Sequence, residues 1–318
     1  LEWGENMKID LIIPAFNEEG NLENLYSTIK QSLKDVKYNI IFVDDGSTDG
    51  TYKVLTDIYN KDKKCVKVIR FSRNFGKDAA IYAGLEISNA KYACIIDADL
   101  QQDPNLINDM ISILERDDSY DMVAMVNDYS NENMLSKFLK KSFYYLMNRV
   151  SEQKFKAGAS DFRLMRHNVV KSLVSMSENN RFTKGLFSWV GYNTYYMEYH
   201  ANKRIAGKSK FRLKKQINYA TDGLINFSTK PLRIATFLGS IISTFSLVYL
   251  IIVIISAILK STKLPPYTTM MCVILLLGGI QLLVIGIMGE YVSKAYIEAK
   301  NRPIYIKKTT LGLDEDIL

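Results

Sequence analysis

The 318-residue chain has few of the residues that form disulfides and zinc sites, with three cysteines and two histidines. Cys65, Cys94 and Cys272 are scattered, without the spacing of a disulfide framework or of a metal ligand set. His167 and His200 have no partner spacing either, and we interpret both as non-catalytic. Internal repeats and low-complexity segments are also absent from the sequence. These absences argue against a disulfide-stapled domain and against a zinc centre.

The chain carries a formal net charge of +7, which raises the question of an anionic partner. Many of the cations lie in two clusters, residues 137–141 and 203–215, beside aromatic and aliphatic residues. This placement favours anionic lipid headgroups or a lipid phosphate over nucleic acid, and we expect no nucleic-acid partner.

Two long apolar runs distinguish the C-terminal part of the sequence. The first covers about residues 235–259 without a formal charge, and the second covers about residues 270–289 with Gln281 as its strongly polar member. Each is long enough to cross a hydrocarbon core of about 30 Å as a helix. A buried pair of core helices is the alternative, but the polar stretch KSTKLPPYTT between the runs favours two transmembrane helices. Neither run lies where a signal peptide would.

The flanking cations predict the orientation of these helices. Lys260 and Lys263 are the cations between the runs, whereas more cations flank them outside: Lys230, Arg233, Lys294, Lys300, Arg302, Lys307 and Lys308. Positive charge marks the cytoplasmic side. We therefore expect a multi-pass protein of the plasma membrane, with both termini, the N-terminal domain and a tail over residues 291–318 in the cytoplasm.

Residues 7–230 read as an α/β domain. Short β-rich runs (KIDLII, NIIFV, VKVIRF, YACII and DMVAMV) alternate with segments of helical periodicity near residues 22–33, 51–59 and 77–88. This alternation predicts a parallel sheet covered on both faces, with ligands beyond the carboxyl ends of its strands. Two basic amphipathic segments, residues 134–150 and 213–228, read as interfacial helices, although helices packed on the sheet are an alternative.

Carboxylates follow the second and fourth predicted strands. Asp44 and Asp45 end the second strand before Gly46, where they suit either a nucleotide ribose or base edge or a capped turn. Asp97 and Asp99 are two residues apart, so on an extended chain they face the same way, with Gln101 just beyond. Hard oxygen donors of this kind predict a site for Mg²⁺ or Mn²⁺ rather than zinc.

Eight motifs follow one another along the chain: IPAFNE, VDDGSTDGT, FSRNFGKDAAIYAGL, DADLQQDP, SDFRLM, RFTKGLFSWVGY, RIAGKSKF and DGLINFSTKPLR. Their order resembles that of the family 2 glycosyltransferases, and in particular of their polyprenyl-phosphate branch. The similarity extends from Met7 to about Arg302 and includes the two C-terminal spans.

The resemblance implies a GT-A (Rossmann-like) fold and an inverting, metal-dependent transfer of a sugar from a nucleotide-sugar donor to a polyprenyl (undecaprenyl) phosphate. A UDP-sugar is favoured as donor and a GDP-sugar is the alternative; homo-oligomers are left open. Carried over motif by motif, the donor-binding positions are Pro14, Phe16, Glu18, Asp44, Asp45, Lys77, Ala98 and Asp99. The metal positions are Asp97, Asp99 and Gln101, and the catalytic positions are Asp161, Arg163, Arg204, Lys208, Ser209 and Lys210.

A lipid phosphate is already ionised at neutral pH, so it needs cations more than it needs a base. Asp161 is therefore either a base or a partner that orients Arg163 or Lys210. One departure from the family pattern is Asn127 and Asp128, which stand where relatives usually carry arginine after the fifth strand. Other residues would then contact phosphate, with Arg73, Lys77 and Arg181 as candidates.

Two other functions compete with this interpretation. A processive polysaccharide synthase would carry a Q-x-x-R-W pattern, but the corresponding stretch is KGLFSW. Two spans also cannot enclose a polymer channel unless several chains assemble. A catalytically silent membrane protein that binds nucleotide sugar or lipid is favoured weakly by the missing arginine, whereas the intact DADLQ and GKSK motifs oppose it.

Overall fold

The computed structural model describes residues 9–127, 145, 148–149, 156–199, 228–258 and 266–313. Their strands are β1 Ile9–Ala15, β2 Tyr38–Asp44, β3 Val66–Phe71, β4 Tyr92–Ile95, β5 Met122–Asn127, β6 Ala159–Arg166, β7 Thr194–Tyr199 and β8 Lys307–Leu311. Their helices are α1 Leu22–Ser32, α2 Thr51–Lys61, α3 Lys77–Glu86, α4 Leu106–Arg116, α5 His167–Ser175, α6 Thr183–Trp189, α7 Lys230–Ile258 and α8 Pro266–Ala299.

The first five strands and the first three helices confirm the predicted alternation, with ends within about two residues of those expected. Apolar side chains from both faces of the sheet are buried, which explains why these strands read as nearly continuous hydrophobic runs. Helices α1, α2 and α4 cover one face of the sheet, and α3, α5 and α6 cover the other. The domain is therefore a three-layer α/β structure of the GT-A-like type.

The expectation of a parallel sheet is correct for only part of it. The strand order is β7-β5-β6-β4-β1-β2-β3-β8. Strands β1 to β4 run parallel to one another, but β6 is antiparallel to β4 and β5, and β8 is antiparallel to β3. The predicted alternation ended at β5. The later strands carry many polar side chains, so their own hydrophobic pattern does not identify them.

The C-terminal residues that we assigned to a tail after residue 290 contribute to the fold. Residues 291–299 continue α8, and β8 then pairs with β3 at the edge of the sheet. Just before β8, the ring of Tyr305 stacks on Phe71 with 4.7 Å between centroids, and its hydroxyl donates to Glu86 at 2.5 Å. The chain therefore returns to the N-terminal domain after the apolar helices.

Helices α7 and α8 contain the two apolar runs. Among the described residues, the stretch Leu276–Ala299 is long and apolar enough to cross a membrane, and Leu232–Ser246 is a shorter apolar stretch. Helix α8 begins at Pro266, a position that proline favours because the first helical N–H has no partner within the helix. The predicted interfacial segments, 134–150 and 213–228, lie outside the described residues apart from Tyr145, Asn148, Arg149 and Ser228.

Replacing Tyr305 by alanine tests whether the segment around β8 stabilises the domain. We expect Tyr305→Ala to lower the free energy of unfolding by roughly 1–3 kcal/mol, since it removes the stacking on Phe71 and the hydrogen bond to Glu86. Thermal unfolding in detergent measures the change, and Tyr305→Phe, which keeps the ring, is the control with the smaller loss. An unchanged midpoint in Tyr305→Ala would show that this contact is not stabilising.

Candidate active site

Several chain segments with carboxylates meet at one edge of the sheet, the edge formed by the carboxyl ends of its parallel strands. Strands β1, β2 and β4 are parallel, so the residues that follow them lie at the same edge. Strand β6 runs the opposite way and pairs Arg163 with Ile95, so its first residues lie beside the end of β4. This pairing brings Asp161 next to the segment that contains Asp97.

Lys77 joins these two carboxylates. Its Nζ lies 2.6 Å from Asp97 Oδ1 and 2.6 Å from Asp161 Oδ2. Lys77 is the first residue of α3, directly after Gly76. One ammonium group therefore links the fourth strand, the start of α3 and the reversed strand β6.

The charges of this cluster stabilise one another. Burial raises the pKa of Asp161, but the positive charges of Lys77, Lys184 and Arg163 outweigh it and hold the pKa well below its ordinary value. Burial also opposes the charge of Lys77, yet Asp161 and Asp97 raise its pKa above the ordinary value. Both groups are ionised at neutral pH, so Asp161 is a weak proton acceptor in this arrangement.

Asp97 is oriented by Gln102 rather than by its neighbour Gln101. The Gln102 amide donates to Asp97 Oδ2 at 3.0 Å and accepts from the Asp97 backbone N–H at 2.9 Å. Gln102 is buried, whereas Gln101 is half-buried and donates its backbone N–H to Asp99 Oδ1 at 3.2 Å. The turn also places Leu100 at φ 61°, a left-handed conformation that is unfavourable for leucine by roughly 1–2 kcal/mol.

The oxygen atoms at this turn are suitable ligands for a hard divalent cation. Asp97 and Asp99 are both half-buried and supply carboxylate oxygens, and Gln101 lies beside them. No group of three or more histidine, cysteine or acidic residues in the described ranges could hold a metal by itself. The site therefore suits Mg²⁺ or Mn²⁺ completed by water and phosphate oxygens, which is the usual way these ions bind near phosphates.

Asp45 fastens the loop that precedes Lys77. Its carboxylate accepts from the backbone N–H groups of Phe75 at 2.6 Å and Gly76 at 3.0 Å, and from the Asn74 side chain at 2.9 Å. Gly46 allows the two loops to approach, because a Cβ there would lie 2.3 Å from the Arg73 carbonyl carbon. The position of Lys77 thus depends on residues that follow β2.

Asp44 and Asp45 differ in their surroundings. Asp44 is fully buried, accepts from the Ser47 N–H at 2.9 Å and lies 3.3 Å from Arg70 Nε. This is the capped turn that the sequence left open as an alternative. Burial raises the pKa of Asp45 to about 6, although the N–H donors of Phe75 and Gly76 oppose the shift.

The residues of the first strand that were predicted to bind the nucleotide sugar lie at the same carboxyl-end edge of the sheet. Pro14 is buried in β1 and pairs with β2, while Phe16 and Glu18 are half-buried just beyond the strand. The Glu18 backbone N–H donates to Thr51 Oγ1 at 2.8 Å, and its carboxylate accepts from Asn21 at 2.7 Å. Ala98 is buried beside Asp97.

The predicted arginines have different partners. Arg163 is buried, stacks over Phe187 at 3.6 Å and donates to the Ser160 carbonyl at 2.8 Å. Arg181 is also buried and donates to the carbonyls of Leu173 and Met176 near the end of α5. It therefore supports a helix end, whereas Arg73 stacks over its neighbour Phe75 on the surface.

Four predicted catalytic residues, Arg204, Lys208, Ser209 and Lys210, lie outside the described residues. The structure instead reveals residues that the sequence did not indicate. Besides Gln102, these include Tyr199 at the end of β7, whose pKa is raised by burial and by the charges of Asp97 and Asp99. A register prediction for β7 would have been needed to find it.

Comparison with known proteins identifies the family. The model of glycosyl transferase family 2 matches residues 10–174, the part that contains the carboxylates described above. The chain is a family 2 glycosyltransferase. A second model, the GtrB C-terminal hairpin, matches residues 230–295 of this glycosyltransferase.

Relatives similar over nearly their whole length support the same assignment. The glycosyltransferase is 38% identical over 311 residues to an uncharacterized glycosyltransferase of Synechocystis, covering 97% of each chain. It is also 38% identical over 305 residues to a prophage-derived bactoprenol glucosyl transferase of Shigella flexneri, covering 95% of this chain and 98% of the relative. A prophage bactoprenol glucosyl transferase homolog of Escherichia coli K12 is equally similar, with 95% and 99% covered.

A solved structure supports the fold. Glucosyl-3-phosphoglycerate synthase from Mycobacterium tuberculosis, solved with Mn²⁺, UDP-glucose and phosphoglyceric acid, matches with a TM-score of 0.51 and 15% identity. The match covers 70% of this chain and 79% of the synthase. At this identity the similarity shows a shared fold.

The raised pKa of Asp45 predicts a pH-dependent stability. The pKa in the folded protein, about 6, lies above the ordinary value of 3.8, so the folded state binds this proton more tightly. Between pH 7.5 and pH 5, the wild type should therefore gain about 1 kcal/mol of unfolding free energy relative to Asp45→Asn, which cannot titrate there. Ligand-free thermal unfolding of both proteins measures the difference; a constant offset across this range would contradict it.

Proposed function

We propose that this glycosyltransferase moves a sugar from a nucleoside-diphosphate sugar to a polyprenyl phosphate, with inversion at the anomeric carbon, to supply cell-envelope glycosylation. A UDP-sugar is the favoured donor and undecaprenyl phosphate the favoured acceptor. The bactoprenol names of relatives that are similar over their full length support the acceptor.

The observation that carries this proposal is the contact of Lys77 with both Asp97 and Asp161. Asp97 belongs to the turn that suits a divalent cation, and Asp161, on β6, contacts the same ammonium. With a divalent cation at the Asp97 turn, a site of this kind can hold a diphosphate, and Lys77 supplies positive charge between that diphosphate and a second anion. Transfer between two phosphates requires such an alternation of charge, since the anions otherwise repel one another.

The transfer itself needs no proton. An oxygen of the lipid phosphate forms a bond to the anomeric carbon, while the bond from that carbon to the diphosphate oxygen breaks. The bonding electrons leave with the nucleoside diphosphate. A divalent cation at Asp97, Asp99 and Gln101 would neutralise the charge that develops on this leaving group.

The remaining residues bind the substrates or support the site in this proposal. Asp45 and the segment after β1, with Pro14, Phe16 and Glu18, hold the nucleoside, and Ala98 leaves room for the donor. Asp44 supports the turn after β2, and Arg163 supports α6. Lys77 contacts donor phosphate, and the polar and basic residues Arg204, Lys208, Ser209 and Lys210 complete the phosphate site.

Asp161 serves as an anchor for cations rather than as a base. Its contact with Lys77 keeps the carboxylate ionised, and a polyprenyl phosphate has already lost the proton that a base would remove. We therefore assign Asp161 a positioning role, exerted through Lys77.

Two membrane spans with a cytoplasmic catalytic domain complete the proposal. Strand β8 belongs to the same sheet as β1 to β4, although α7 and α8 separate it from them in sequence. A segment that leaves this sheet and returns to it starts and finishes on the same side of the membrane, so it crosses the membrane an even number of times. With α8 as one span, this parity supports α7 as the other, and the flanking cations support the cytoplasmic side.

Measuring product formation from the purified full-length protein tests the function. With undecaprenyl phosphate and Mg²⁺ or Mn²⁺, we expect one member of a UDP- and GDP-sugar panel to give nucleoside diphosphate and a lipid-linked sugar. Chelation should abolish both products, and Asp97→Asn should reduce them by roughly 10²-fold or more, since it weakens the charge that holds the cation. Lys34→Met, at an exposed site on another part of the domain, is the control. If no donor gives product, the silent-protein alternative gains support.

A double-mutant cycle tests the role of Asp161. We expect Asp161→Asn to reduce kcat by roughly 10- to 100-fold with little change in the donor KM, because Lys77 loses one of its two anchors. The Lys77→Met and Asp161→Asn pair should then be no slower than Lys77→Met alone. A base that acts independently of Lys77 predicts the opposite outcome, in which the two losses multiply.

A further inference from the structure

A second lysine, Lys184, lies on α6, the helix that packs against the strand carrying Asp161. Asp161 and Arg163 lie two residues apart on β6, so they share a face of the strand. On α6, positions 184 and 187 are three apart and share a helical face. The guanidinium of Arg163 lies 3.6 Å from the centroid of the Phe187 ring, so this face of α6 packs on β6, and the charge of Lys184 is near enough to lower the pKa of Asp161.

The start of α6 is fixed by the residue that follows Lys77. The Thr183 backbone N–H donates to Asp78 Oδ1 at 2.9 Å; Thr183 is buried and Asp78 is half-buried. Lys77 and Lys184 are thus the chain neighbours of the two residues that make this hydrogen bond. The starts of α3 and α6 are held together, with one lysine from each beside Asp161.

Unlike Lys77, Lys184 is not held by ion pairs to carboxylates of the described residues. Among the described residues, its side chain forms no hydrogen bond and no ion pair within 4 Å, although its charge contributes to the low pKa of Asp161. Lys184 is half-buried, so it is partly open to solvent and to a ligand. A lysine in this state has donors for an oxyanion, and it presents a compact point charge that suits a phosphate monoester.

We propose that Lys184 binds the phosphate of the lipid acceptor. This inference rests on the proposed function and adds to it a residue for the second anion. Asp97, Asp99 and Lys77 serve the donor side, and the Asp161 carboxylate would repel an incoming phosphate. A second cation on the Asp161 side removes that repulsion and holds the nucleophile apart from the donor diphosphate until both are bound.

Acceptor kinetics provide the first test. We expect Lys184→Gln to raise the KM for undecaprenyl phosphate by roughly 10-fold, the loss of one charge-assisted contact, and to change the donor KM by less than about twofold. Lys184→Arg should restore part of the acceptor affinity because it keeps the charge. Lys171→Gln, an exposed position on α5, is the matched control, and thermal midpoints of all variants verify folding.

Equilibrium binding of farnesyl phosphate and farnesol to the full-length protein in detergent provides the second test. The wild type should prefer the phosphate, and Lys184→Gln should lose most of that preference. If the wild type transfers sugar but Lys184→Gln leaves both the acceptor KM and this preference unchanged, the inference is wrong and the proposed function stands. If no transfer occurs, the proposed function fails, and the binding comparison still decides whether Lys184 recognises a lipid phosphate.

Discussion

The arrangement of the site depends on one ammonium group between two carboxylates. Lys77 contacts Asp97 and Asp161 at the same distance, 2.6 Å, and each of the three residues comes from a different element of the fold. The loop before Lys77 is held by Asp45, which accepts hydrogen bonds from Asn74, Phe75 and Gly76. The position of Lys77 in the site is therefore set by hydrogen bonds between the segment after β2 and the loop before α3.

The sequence predicted the parts of the fold whose hydrophobic pattern is self-contained. Strands β1 and β2 are buried along almost their whole length, and α1 places Leu22, Leu25 and Ile29 on one buried face. Strands β6, β7 and β8 were not predicted because their pairing partners, rather than their own composition, make them strands. Strand β8, with the sequence KKTTL, contains mostly polar residues and is identified by its register with β3.

The site, like the fold, was predicted from the sequence where local residues determine it and not where the contact of separate elements determines it. The spacing of Asp97 and Asp99 and the strand end at Asp45 were visible in sequence because local chemistry determines them. The partners of these residues were not visible, since they depend on how separate elements meet. Gln102 rather than Gln101 orients Asp97, and among the described residues Lys77 rather than Arg163 forms the ion pair with Asp161. A motif thus indicates which residues carry charge, whereas the packing determines which charges face each other.

The position of β8 has a consequence for any attempt to separate the catalytic domain from its membrane helices. A fragment that stops before α7 would leave β3 as an open sheet edge, with unpaired backbone groups and with Phe71 uncovered by Tyr305. Open edges of this kind are templates for aggregation. A soluble version of the domain would therefore have to keep residues 304–313 and join them to residue 228 by a flexible linker.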